Sequence, residues 1–248
     1  MWSVRQALTR AHGEEKRHLD QQLILCGTTE FPGSLMYANF KSGNLSINAG
    51  LLSALQRAGA KPDTDVLVSG IQGNQYNALS LLTDGAPFEV HIPGWPRMPA
   101  EGVPLLPYRV AEEILATELK EFQLFTSKQR VLGYRCFMHL SPPPPVPDAE
   151  FIRSKLPPLP SGEPIEISSA DLRLKMWTMQ QKMMRTAVEV HGGILLAPPA
   201  GTQDADGFLK SEYWKDSVHA NASYAALQLD QIHAVMLGLQ NNEGPQHG

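Results

Sequence analysis

Short apolar runs that alternate with helical patterns constrain this chain more than any other feature. Four runs have the length and flanks of buried strands: QLILC at 22–26, DVLVSGI at 65–71, YRCFMHL at 134–140 and GILLAPP at 193–199. The third runs into SPPPP, which cannot extend a central strand because proline has no backbone N–H to give to the ladder. Helical patterns lie between them: LLSALQRAGA before the second run, 108–125 before the third and 168–190 before the fourth. In the last of these, Leu172, Met176, Met179, Met183, Ala187 and Val190 recur at spacings of three and four and form one apolar face, which reads as core packing rather than a ligand lining. Ser168 and Asp171 have capping-box spacing at its start, and Gly192–Gly193 supplies its stop. A final helical pattern at 220–240 has Ala225, Leu229, Ile232, Met236 and Leu239 on its inward face.

Strands that alternate with helices imply βαβ units, and hence an α/β fold: a mostly parallel sheet covered on both faces, in three α/β/α layers. No composition shift divides the chain, so residues 1–240 are expected to be one domain, followed by a disordered tail at 241–248. Two proline-rich stretches, 86–107 and 141–166, are long for connections in a compact domain and read as surface loops, binding walls or lids.

Composition narrows the partners. The net charge of −4 and the lack of any basic block argue against a nucleic-acid or anionic-membrane surface. No apolar run approaches the roughly 18–20 residues that span a bilayer. The first twenty residues read as a polar helix and carry no secretory pattern. Cys26 and Cys136 share no metal-type spacing and read as buried free thiols, which fits a reducing cytoplasm. The eight histidines form no metal-binding cluster, and neither nucleotide-binding fingerprint is present, so no cofactor is expected.

In a parallel sheet, ligands gather at the carboxyl ends of the strands. Three segments there carry possible chemistry. Asp216 and His219, three apart before the last helix, form a pair in which a carboxylate can hold an imidazole in one tautomer while the imidazole takes a proton from a hydroxyl. The plainer reading makes Asp216 or Ser217 a helix cap and His219 a surface residue. Gly73–Asn74 after the second strand offers close backbone approach and a carboxamide donor for an oxyanion, or is an ordinary turn. The first strand ends in Gly27-Thr28-Thr29, a glycine followed by hydroxyls, where a nucleophile can sit. His139 ends the third strand and either touches substrate or is structural; His91, Trp95, Tyr213 and Trp214 either wall a pocket or anchor loops.

This order of blocks over about residues 22–235 resembles the SGNH (GDSL-type) hydrolases. The resemblance implies a flavodoxin-like α/β/α fold and an esterase, lipase, deacetylase or acyltransferase activity. It implies Asp216 and His219 as acid and base, and Asn74 as the oxyanion asparagine. It gives the oxyanion glycine as Gly43 or Gly50. At the first block the family has Gly-Asp-Ser, and here Thr28 stands for the aspartate and Thr29 for the nucleophilic serine. A threonine keeps the hydroxyl, but its extra methyl stiffens χ1 and crowds attack. Ser34, five residues on, is the other nucleophile to consider. The expected function is therefore hydrolysis or transfer of an acyl group on a small metabolite or carbohydrate ester, through an acyl-enzyme and without a metal. The alternatives are a non-hydrolytic enzyme that uses the Asp–His pair as general base, an inactive ligand-binding relative, and an interaction protein with the proline-rich loops as its contact surface.

Overall fold

The structure is a computed structural model that describes residues 36–39, 44–61, 65–70, 73–83, 87–97, 99, 101–134, 136–160 and 162–241. The expected first strand at 22–26, the N-terminal helical pattern and the last seven residues lie outside the described residues. In chain order the elements are β1 (Met36–Asn39), β2 (Asn44–Ile47), α1 (Ala49–Arg57), β3 (Val66–Ser69), α2 (Gln75–Ser80), β4 (Glu89–His91), β5 (Leu105–Pro107), α3 (Tyr108–Glu118), α4 (Lys120–Lys128), β6 (Cys136–Leu140), α5 (Ala149–Lys155), α6 (Ala170–Glu189), β7 (Ile194–Leu196) and α7 (Ala222–Asn241).

The principal sheet has the order β3-β6-β7 and is parallel throughout, with Ser69 beside His139 and Leu140 beside Leu196. Its strands are apolar on both faces because helices cover both. Alternation along β6 sorts the contacts. Met138, Leu140 and the half-buried Cys136 turn one way, with Val66, Val68, Ile194 and Leu196, and pack on Ala225, Leu229 and Ile232 of α7. Phe137 turns the other way, toward Leu51 of α1 and Phe125 of α4, and Leu195 joins the larger core built on α6. The protein is thus a three-layer α/β/α structure. Each fully buried aliphatic side chain of this kind contributes roughly 1.5–3 kcal/mol over exposure. Two smaller pairs accompany the sheet, β1–β2 antiparallel and β4–β5 parallel.

Three local features differ from the sequence expectation. The helix expected over 108–125 is two helices, broken at Leu119, which is fully buried with φ −88° and ψ 2°. No glycine or proline marks the break. The cap of α6 is Ser169 rather than Ser168: Ser169 Oγ accepts the Leu172 N–H at 3.0 Å, whereas Ser168 is held one residue earlier by its N–H to Leu81 O. The buried face of α6 runs through Leu172, Met176 and Met179 to Met184 and Val188, leaving Val190 69% exposed. In its first half this helix is buried nearly all round, including Arg173, Lys175 and Gln180.

The reason is the proline-rich segment after β6, which is no surface lid over 141–147. It lies buried along α6. Its five prolines donate no N–H, so beyond Ser141, whose N–H goes to Leu196 O, the segment mainly needs donors for its carbonyls. Trp177 Nε1 donates to Pro142 O, Tyr76 OH to Pro143 O, Leu209 N to Pro145 O, and the Arg173 guanidinium to Val146 O (2.6 Å) and Pro147 O (3.0 Å). Burial lowers the Arg173 pKa to about 10, still high enough to keep it charged at neutral pH. The other proline-rich stretch, 86–107, contains β4 and β5. Among the described residues, no helix is long and apolar enough to cross a membrane.

Candidate functional site

Asp216 and His219 meet. They occupy a tight loop closed by the antiparallel bridge Trp214–Ala220, before α7 rather than in its first turn. Asp216 does not cap α7; Asn221 Oδ1 accepts the N–H groups of Ser223 and Tyr224 instead. Asp216 Oδ1 accepts the Val218 N–H at 3.0 Å and the His219 N–H at 2.8 Å, which folds the loop around the carboxylate. The imidazole Nδ1 then lies 3.0 Å from Oδ1 and 3.1 Å from Oδ2. Burial pushes the Asp216 carboxyl up, but the two backbone N–H groups and the adjacent imidazole outweigh it and hold the carboxyl below its ordinary range. A charged carboxylate on Nδ1 fixes the tautomer with the proton there and leaves Nε2 as the base. The His219 side chain is 56% exposed, so the ring is open to solvent.

Gly73 and Asn74 lie between β3 and α2. A Cβ on Gly73 would sit 3.0 Å from Pro142 Cβ, tight enough that the proline-rich segment would have to shift by a few tenths of an ångström, so its close approach favours glycine there. Asn74 occupies the N-cap position of α2 with φ −112° and ψ 16°, yet its side chain makes no cap hydrogen bond. Gln180 of α6 holds the turn at both ends: its Nε2 donates to Gly73 O and its Oε1 accepts the Tyr76 N–H, each at 2.7 Å.

The turn after β3 and the loop after β7 leave the same, carboxyl edge of the parallel sheet. With β6 between the two strands, their exits are about 10 Å apart. No hydrogen bond joins Asp216 or His219 to Gly73 or Asn74 among the described residues.

The other candidates separate. Thr28, Thr29, Ser34 and Gly43 lie outside the described residues. Gly50, in the first turn of α1, donates its N–H to Asn48 Oδ1 at 2.7 Å, so the cap of that helix engages this donor. His139 is fully buried on the face of β6 that meets α4, with its ring 4.6 Å from that of Phe122 and 5.2 Å from that of Phe137. Neither ring nitrogen has a partner, and burial lowers its pKa to about 3. It is a neutral core histidine, out of reach of a solvent-borne substrate. Trp95 Nε1 donates to Asp171, and Trp214 Nε1 to Leu209 O while its ring packs on Phe151; both are loop anchors. His91 is exposed at the end of β4.

Two features escaped the sequence reading. One is Gln180. The other is a charge network at the start of α6. Lys175 Nζ, 1% exposed, lies 2.9 Å from Glu89 Oε2 and 2.8 Å from Asp171 Oδ2, and Arg97 bridges Asp171 to Asp206. Burial alone would lower the Lys175 pKa, but the two carboxylates reverse that and hold it above its ordinary value. Only the i,i+4 spacing of Asp171 and Lys175 is visible locally; Glu89 is 86 residues away. Among the described residues, no three His, Cys, Asp or Glu side chains gather as a metal site. Compared with known proteins, the chain matches no protein-family model and no curated protein.

Proposed function

We propose that this protein is an SGNH-type acyl-ester hydrolase or acyltransferase that works on a small metabolite or carbohydrate ester through an acyl-enzyme. The observation that carries the reading is the Asp216–His219 pair: a carboxylate with lowered pKa bonded to Nδ1 of a solvent-open imidazole, at the sheet edge that also presents the unengaged carboxamide of Asn74. Surface Asp–His contacts are common; here the pair shares its rim with an asparagine whose carboxamide is not spent on a helix cap.

In this reading Thr29 is the nucleophile, by its register with the family's serine. His219 Nε2 takes the Thr29 hydroxyl proton as Oγ1 attacks the ester carbonyl carbon. The carbonyl oxygen becomes an oxyanion that receives a hydrogen bond from the Asn74 carboxamide. Collapse of the tetrahedral intermediate breaks the bond to the alcohol, which leaves with the proton from His219. Water, or an acceptor alcohol or amine, then repeats the cycle in reverse. Asp216 orients the imidazole and offsets its charge throughout. A cytoplasmic setting belongs to the same proposal, as does a small acyl substrate without nucleic acid, membrane or cofactor.

Incubation with an activated acetate ester followed by intact mass tests the reading. An acetyl adduct on the parent protein that is absent from Thr29→Ala and His219→Ala is the expected result. An adduct lost in Ser34→Ala but kept in Thr29→Ala moves the nucleophile to Ser34. No adduct and no turnover in the parent protein leaves the hydrolase reading without support.

A further inference from the structure

Asparagine is among the best N-cap residues because its side-chain oxygen accepts an orphan N–H from the second or third residue of the helix. Asn74 stands at that position before α2 and does not do so. The explanation is that neither orphan is left for it. The N–H of Tyr76, the second helical residue, goes to Gln180 Oε1 at 2.7 Å, and that of Asn77, the third, goes to Asn74's own backbone carbonyl at 3.0 Å. Gln180 comes from α6, 104 residues further along the chain from Tyr76, and its other end donates to Gly73 O. It is fully buried. A buried carboxamide is costly unless both ends are paired, and here the two ends bracket Asn74 and Gln75, the residues between Gly73 and Tyr76.

We infer that Gln180 is a positioning residue for Asn74. By taking the cap's acceptor role from another helix, it releases the Asn74 carboxamide to donate to the oxyanion, and it holds the turn from which Asn74 projects. This rests on the hydrolase reading above. If Gln180 is replaced by a side chain without an acceptor, the Tyr76 N–H is orphaned, and Asn74 stands at the N-cap position whose side chain ordinarily accepts it. The asparagine then rotates into an ordinary cap, and the fold is retained while the oxyanion donor is lost.

The test is a double-mutant cycle on hydrolysis of an activated acetate ester, with thermal denaturation in parallel. Asn74→Ala is expected to lower kcat by roughly 10²–10³, the usual loss for one oxyanion donor. Gln180→Met, close in volume, should lose most of the same factor with KM little changed, and Asn74→Ala/Gln180→Met should be no slower than Asn74→Ala alone. Gln180→Glu keeps an acceptor for the Tyr76 N–H, and burial favours its neutral acid, whose O–H can still donate to Gly73 O, so it should stay within about tenfold of the parent. A merely structural Gln180 gives another pattern: the melting temperature drops, and the losses in kcat multiply. Multiplying losses, or Gln180→Glu as slow as Gln180→Met, overturn the inference while leaving the role of Asn74 standing. If Asn74→Ala costs nothing, the hydrolase reading falls and takes the inference with it.

Discussion

Replacing His139 with phenylalanine should change stability little at neutral pH and stabilise the protein increasingly as the pH falls. His139 is fully buried between two phenylalanine rings, and neither of its nitrogens has a partner. Burial lowers its pKa from 6.5 to about 3. The unfolded chain therefore binds a proton below pH 6.5 that the folded chain refuses until about pH 3. The stability tied to the neutral ring is complete above pH 6.5 and falls by about 1.4 kcal/mol per pH unit as the pH drops toward 3. At pH 4.5, two units into that window, the loss is about 3 kcal/mol, a large share of the 5–15 kcal/mol typical of a whole domain. Asp216 and Asp171, whose carboxyls are held low in the fold, also lose their contribution in acid, but they do so equally in both proteins. The difference between parent and His139→Phe isolates the ring. At pH 7.5 the variant also sheds two unpaired buried polar atoms, a gain of about 1–3 kcal/mol, which offsets about 1–3 kcal/mol for fitting the larger phenyl ring. Urea unfolding at pH 7.5, 6.5, 5.5 and 4.5 measures both. A stability difference that does not change with pH would refute the reasoning, because it would mean that the folded protein protonates His139 as readily as the unfolded chain does.

Two further outcomes follow from the charged groups. Lys175→Met leaves the buried Glu89 without its ammonium, while Asp171 keeps Arg97, and should cost about 3–5 kcal/mol in urea unfolding, with a second change, Glu89→Gln, returning part of the loss. Asp216→Asn keeps the shape of the loop but no longer fixes the His219 tautomer, and should lower kcat/KM for an activated ester by about 10³–10⁴, with little change in melting temperature.

The parts of the fold legible in the sequence are those set by local period and flanking breakers. Apolar runs of strand length bounded by Gly and Pro mark β3, β6 and β7, and helical spacing marks α1, α6 and α7. The Asp216–His219 contact is legible because three residues of separation and one turn bring the side chains together. What the sequence does not carry is decided by distant partners. The break at Leu119 has no local breaker to announce it. β4 and β5 hide in a proline-rich stretch because they pair with each other rather than with the main sheet. His139 looks like a rim residue from its place at a strand end, yet alternation along β6 puts it on the inner face with Phe137. Asn74 is legible as a turn asparagine, but its freedom from capping depends on Gln180, which no spacing rule connects to it.

One helix sets most of the geometry at the sheet edge. From α6, Gln180 holds Gly73 and Tyr76. Trp177 and Arg173 donate to the carbonyls of Pro142, Val146 and Pro147. Lys175 and Asp171 reach Glu89, Trp95 and Arg97 in the 86–107 stretch. The proline segment then receives Leu209 N at Pro145 O, which ties down the loop that continues to Asp216 and His219. A run of prolines suits this position because it cannot compete for ladder hydrogen bonds and leaves only carbonyls to be satisfied. The turn carrying Asn74 and the loop carrying Asp216 and His219 are thus registered against the same rod rather than against each other. This accounts for the dense burial of polar and charged groups on α6, where core packing alone would favour aliphatic side chains: each such group trades desolvation for a hydrogen bond or ion pair that fixes a distant segment against the helix.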